Sequence, residues 1–390
     1  MRASSVITLA STVAVSVAHG PSIQKRGPQC TEVRIPVSVL ADNIALPPID
    51  ATNLFSILNN IGDAAFGVLT VNGNYTLAGR YCEPEVHIPQ RQNTIQLLVH
   101  GATYNKNYWS GLDFPQGYHG NDYSWIAYAS QQGYPTLSID RLGSGDSDKP
   151  DPIKVVQIPV QAEAMYQTTL SLRAGTIEGI GRSFNKIVYI GHSLGSMIGN
   201  AMSARHGEAV DALVLTGYTK RYKPDLPGIF AKGVPIPAAV FDSARFSGLP
   251  AGYVVFGSKA GRGDLFYSIP GVEYDPAIYE LDWSRQDALA LGDGVSAFFS
   301  VDVAAGFKGP VLVVVGRQDN CVCSLALPII SHGDCGQGPT SLPAQVGELY
   351  PSASSFSYSI LPNTGHDLNA HYSINQTLSD VHSFLGNKGF

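Results

Sequence analysis

Apolar and polar positions alternate along this chain in two registers, one short and one long. Ile95–Val99 reads as a buried strand from its apolar run, and Tyr123–Gln132 after it reads as a helix. The rhythm continues with Pro135–Ile139 as strand, Val160–Ile177 as helix and Ile187–Ile190 as strand. Leu194–Arg205 then reads as helix and Ala212–Thr216 as strand. Strands and helices in this order predict an α/β fold, a mostly parallel sheet covered by helices on both faces. Before it, from Val33 to Cys82, short β-rich runs predict a hairpin, with Asn72-Gly73-Asn74 as the turn between Phe66–Val71 and Tyr75–Cys82.

After Tyr218 the rhythm breaks. Residues 219–307 are rich in Pro, Gly and aromatics, with a helix-like piece at Tyr279–Leu291, and Val311–Val315 restarts the sheet. An insertion between two strands predicts a cap over the sheet edge. The chain divides into a leader over 1–26, a core in two parts (27–218 and 308–390) and the insertion over 219–307. Phe356–Leu361 is the last expected strand and Ile374–Leu385 the closing helix. The 390 residues, 44% hydrophobic and 14% charged, leave ample apolar surface for a core. A net charge of -6 without a basic run excludes nucleic acid as a natural partner.

The first residues read as a targeting segment. Arg2 precedes a mildly apolar stretch, Val6–Val17, then small residues at Ser16 and Ala18, and Lys25-Arg26 is a dibasic processing site. That stretch is too short and too rich in small and hydroxyl residues to span a bilayer. Export fits five cysteines, for which the expected pairs are Cys30 with Cys82, and Cys335 with Cys321 or Cys323, leaving one thiol over. Asn74 and Asn375 head the two glycosylation sequons of an exported chain.

The chemistry centres on Gly191-His192-Ser193-Leu194-Gly195, set between the strand Ile187–Ile190 and the helix Leu194–Arg205. A serine on such a sharp turn is exposed at a helix N-terminus, and bulk on either flanking glycine would clash. It needs a base and an orienting acid. Asp319 lies just past Val311–Val315 and His366 just past Phe356–Leu361, both at carboxyl ends of strands, where catalytic loops gather. His371 is the nearest rival histidine, in or beside the last helix. The backbone amides of Ala102, after the Gly101 turn, and of Leu194 are the expected oxyanion donors, and His100 braces that turn. Neither a dinucleotide fingerprint nor a metal-ligand pattern with catalytic spacing occurs, so no cofactor is expected; Asp140–Ser147 reads as a loop shaping the floor of the site.

His100-Gly101, Asp140–Ser147, Gly191–Gly195, Asp319 and Gly365-His366 together resemble the successive motifs of the α/β-hydrolase superfamily over roughly residues 90 to 385. More narrowly they resemble its capped branch, which includes epoxide hydrolases, haloalkane dehalogenases, esterases and C–C bond hydrolases. Ser193 stands where the first two place an aspartate, which implies an acyl-enzyme route. The leader, dibasic site and cysteines are similar to those of exported fungal members. The resemblance implies hydrolysis of a small apolar ester by a Ser193–His366–Asp319 triad. Lactone opening, C–C cleavage or acyl transfer by the same residues stay open, as does a non-catalytic binding protein on this fold. Cap aromatics such as Tyr222, Phe230, Tyr253, Phe256, Phe266 and Tyr267 would suit an apolar pocket, and Tyr104, Tyr108 and Trp109 are further lining candidates.

Overall fold

The computed structural model describes residues 27–46, 67–220, 232–268, 273–324 and 333–390. The leader with Lys25-Arg26, and Phe66, Tyr222 and Phe230, lie outside the described residues. The main sheet is built from β1 (Gln29–Ala45), β2 (Gly67–Glu83), β3 (Thr94–Val99), β4 (Thr136–Ile139), β5 (Lys186–His192) and β6 (Ala212–Thr216), then β10 (Pro310–Gly316) and β11 (Ser355–Leu361). Between β6 and β10 lie three further short strands, β7 (Pro235–Pro237), β8 (Tyr253–Phe256) and β9 (Leu289–Ala290). The main sheet has the order β1-β2-β4-β3-β5-β6-β10-β11. β1, β2 and β4 pair antiparallel, and every other neighbouring pair runs parallel. Every residue of β3, β6 and β10 is buried, as expected of parallel strands covered on both faces. The helices Ile158–Ala174, Leu194–Arg205 and Ile374–Asn387 cover those faces. This is the α/β-hydrolase fold expected of the motif series.

Two expectations fail. Asn72-Gly73-Asn74 is not a turn but the middle of β2, with Asn72 opposite Leu40, Gly73 opposite Val39 and Asn74 opposite Ser38. The reason lies in β1, where Val33, Ile35, Val37 and Val39 form a buried stripe at alternate positions. Only a partner strand running its whole length pairs that backbone, and the Cys30–Cys82 disulfide joins facing residues at its far end. A local turn preference cannot outweigh a ladder of this length. The second failure is the helix-like piece Tyr279–Leu291. The helix Pro276–Arg285 stops there, because the backbone beyond it is taken by tertiary partners. The Gln286 carbonyl accepts from Arg245, and the Asp287 amide donates to the Thr103 carbonyl. Leu289 and Ala290 then pair with β8.

The late cysteines resolve as Cys323–Cys335, with Cys321 left as a buried thiol. Among the described residues no helix is long and apolar enough to cross a membrane. Asn74 and Asn375 are both exposed.

Candidate active site

β5 runs into the helix Leu194–Arg205 through Ser193 alone, which takes φ 52° and ψ −115°. A non-glycine residue in that region is strained and must be held by its surroundings. Its amide donates to the Thr216 carbonyl at 2.8 Å, and its carbonyl accepts from Ser196 and Met197. The flanking glycines have no alternative. A Cβ at Gly191 would sit 2.6 Å from the Gly195 backbone, and one at Gly195 would sit 2.1 Å from the Val99 carbonyl oxygen. Strand and helix can therefore approach closely enough to leave the serine at the apex.

The Ser193 hydroxyl lies 2.7 Å from His366 Nε2. His366 Nδ1 lies 2.7 Å from Asp319 Oδ2. Since a carboxylate only accepts, Nδ1 carries the proton and Nε2 is left to accept from the serine. The other carboxylate oxygen, Oδ1, accepts from the amides of Cys321 and Val322, at 2.9 and 3.0 Å. The acid is thus fixed at both oxygens.

His371, the rival, does other work. Its Nε2 accepts from the Gly365 amide and its Nδ1 donates to the Asp367 carbonyl, so it braces the loop that carries His366. Burial pushes its pKa down to about 4, which keeps it neutral for both bonds. Two neighbours, Asp367 and His192, make contacts that nothing in the sequence announces. Asp367, beside the histidine, accepts a hydrogen bond from Tyr104, and burial, reinforced by Asp282, pushes its pKa up to about 7. The His192 ring stacks on Tyr108 at 4.7 Å and stands 5.0 Å from His366; burial drives its pKa well down, so it adds no charge beside His366.

Ala102 and Leu194 both line the small cavity above Ser193. Gly101 is needed for this approach, because a Cβ there would sit 3.0 Å from that of Ser193. His100 accepts the Arg141 amide on Nε2 and donates from Nδ1 to the Gly101 carbonyl, bracing the turn as expected. The cavity, about 40 Å³, has Ala102, Thr103 and Leu194 on its core side and Val254, Phe256 and Phe266 on the other. No Asp, Glu, Lys or Arg is among the described residues that line it. Tyr104, Tyr108 and Trp109 do not reach it: Tyr104 is spent on Asp367, Tyr108 on His192, and Trp109 packs edge-on against Trp125. The Asp140–Ser147 loop contributes no residue to the described lining of the cavity and does not form its floor. It wraps the Asp140 carboxylate, which accepts from Lys106 and from the Asp146 amide.

Asp319, Cys321 and His366 bring a carboxylate, a thiol and an imidazole within 4.8 Å of one another. Both imidazole nitrogens are already committed to Asp319 and Ser193, the Cys321 thiol donates to the Leu265 carbonyl, and burial pushes that thiol well up, so the set is poorly suited to metal ligation.

Residues 96–373 match the sequence model of the alpha/beta hydrolase family. No curated protein matches the chain significantly in sequence. Among solved structures, a bromoperoxidase from Bacillus anthracis is similar at 14% identity and a TM-score of 0.51, over 90% of this chain and 99% of that one. A hydrolase from Pseudomonas aeruginosa PA01 is similar at 16% identity and a TM-score of 0.50, over 80% and 95%. A thermophilic esterase from Thermogutta terrifontis follows at 15% identity and a TM-score of 0.49, over 82% and 96%. At these identities the likeness is one of fold.

Proposed function

This chain belongs to the alpha/beta hydrolase family, and from that premise we propose that it is a serine hydrolase acting on a small, uncharged ester. Ser193 attacks the ester carbonyl while His366 Nε2 takes its proton. Asp319 holds the imidazole in the right tautomer and stabilises its positive charge. The amides of Ala102 and Leu194 receive the oxyanion, each such donor lowering the barrier by about 3 kcal/mol. His366 then protonates the leaving alcohol, and the acyl-enzyme is opened by a water that the same imidazole deprotonates. One observation carries the reading: the unbroken pair of 2.7 Å contacts from Asp319 through His366 to Ser193.

The substrate class follows from the cavity. Its described lining is mostly apolar and holds no Asp, Glu, Lys or Arg, which favours a short aliphatic or aromatic acyl group over a charged one. Residues 219–307 act as the cap of this branch, since β8 and Phe266 supply the wall facing the serine. The leader and the Cys30–Cys82 and Cys323–Cys335 disulfides favour an exported enzyme similar to fungal ones. The test is turnover of nitrophenyl esters of increasing acyl length by the protein and by Ser193→Ala. The expected result is turnover that falls as the acyl chain outgrows the cavity and that disappears in the variant. Equal turnover in Ser193→Ala would sink the assignment.

A further inference from the structure

The turn that carries the proposed oxyanion donor is held by an unusual set of partners. A planar trans peptide points its carbonyl and its N–H in opposite directions. Whatever fixes the Gly101 carbonyl therefore aims the Ala102 amide. That carbonyl accepts from His100 Nδ1 at 2.9 Å and from Arg141 Nη2 at 3.3 Å. The next carbonyl, of Ala102, accepts from the Thr103 hydroxyl at 2.7 Å. The third, of Thr103, accepts from the Asp287 amide at 2.9 Å. Thr103 itself sits at φ 59°, a region that a β-branched residue avoids unless it is held there.

The holding group is Arg262, wholly buried and on the segment between β6 and β10. Its Nε and Nη2 engage both oxygens of Asp282, each at 2.7 Å, which neutralises and orients the guanidinium. Nη1 is left to donate to Thr103 Oγ1 at 2.6 Å. The hydroxyl's single proton is then directed at the Ala102 carbonyl. Arg141 is set up in parallel, paired with buried Asp293 of the same segment. Each arginine thus has one face on the turn and its counter-ion on the inserted segment. The Arg262 guanidinium also lies 4.6 Å from the Phe266 ring, which lines the cavity.

We propose that Arg262 is a positioning residue for the oxyanion hole: through Thr103 Oγ1 it fixes the Ala102 carbonyl, and so the peptide plane after Ala102, while His100 and Arg141 fix the plane before it, which couples the seating of the inserted segment to the backbone torsions of the residue that donates the amide. This rests on the serine-hydrolase reading. It means that the hole is complete only with the segment in place, so substrate enclosure and transition-state stabilisation arrive together.

Thr103→Val tests it, because it keeps the β-branched shape and leaves the Arg262–Asp282 pair intact while removing both hydroxyl bonds. With nitrophenyl butyrate as substrate, kcat should fall on the order of 100-fold while KM moves by less than about threefold. Affinity for a trifluoromethyl ketone, which forms a tetrahedral adduct on the serine, should weaken by the same factor as kcat. Thr103→Ser, which restores the hydroxyl, should recover at least about tenfold of the loss. Should Thr103→Val fail to fold, Arg262→Lys keeps a cation beside Asp282 without the reach to Thr103, and the same loss confined to kcat is expected. A folded variant with kcat within about threefold of wild type, or with the loss in KM alone, overturns the proposal. A wild-type protein that neither turns over the ester nor binds the ketone overturns the serine-hydrolase reading instead.

Discussion

Gly191 and Gly195 are where a single methyl group separates an active site from no site, since either Cβ would fall within 2.6 Å of backbone. Gly191→Ala and Gly195→Ala should therefore fail to yield native protein, measured as loss of the cooperative thermal transition. Asp319 offers a subtler test. In Asp319→Asn the side-chain oxygen can keep the Cys321 and Val322 amides, but an NH₂ then faces His366 Nδ1. The imidazole must move its proton to Nε2, where it opposes the serine hydroxyl, and kcat should drop by about 10⁴ with little change in stability. Asp367 gives a pH signature. Its pKa is raised from 3.8 to about 7, so between those values the folded protein holds a proton that the unfolded chain has released. Stability from this group is present below pH 4 and is lost as pH rises toward 7. Asp367→Asn should remove that slope, so its Tm relative to wild type should be higher at pH 8 than at pH 5. Parallel Tm curves would contradict it. Ser193, Asp319 and His366 are legible in sequence because each sits at a strand end with a local signature. Tyr104 and Asp367 are not, because what defines them is a hydrogen bond between residues 263 apart in the chain.

At the scale of elements, buried parallel strands are the most legible, since their apolar runs need no knowledge of a partner. Leu194–Arg205 and Ala212–Thr216 stand where the periodicity puts them, to the residue. The β1–β2 ribbon is the opposite case. Asn72-Gly73 satisfies every local rule for a tight turn, and only the buried alternation of β1 reveals that the chain must continue through it. Asn72→Thr separates the two readings. In an exposed mid-strand position it should leave stability unchanged or raise it, within about 0.5 kcal/mol. A marked fall in Tm would restore the turn. Phe256 and Phe266 teach a related lesson: the insertion's aromatics could be counted in the sequence, but their choice of cavity over cap interior is set by tertiary packing.

On the scale of the whole molecule, two parts of the chain meet at one cavity. Strand ends of the sheet bring Ser193, His366 and Asp319 into contact, and the segment between β6 and β10 supplies an apolar wall and two buried carboxylates, Asp282 and Asp293, that neutralise the arginines on the Gly101–Thr103 turn. The cysteines hold the periphery, tying β1 to β2 and closing the loop behind Asp319. With one thiol left and that one buried, thiol titration should find none in the native protein and one per chain after unfolding without reductant. The central claim, that Ser193 is an activated nucleophile, meets its most direct test in labelling by a fluorophosphonate, followed by mass mapping of peptides. A single adduct on the peptide containing Ser193, formed with loss of esterase activity and strongly slowed in His366→Ala, is the predicted result. An unlabelled Ser193 in active protein, or inactivation through an adduct elsewhere, would contradict it.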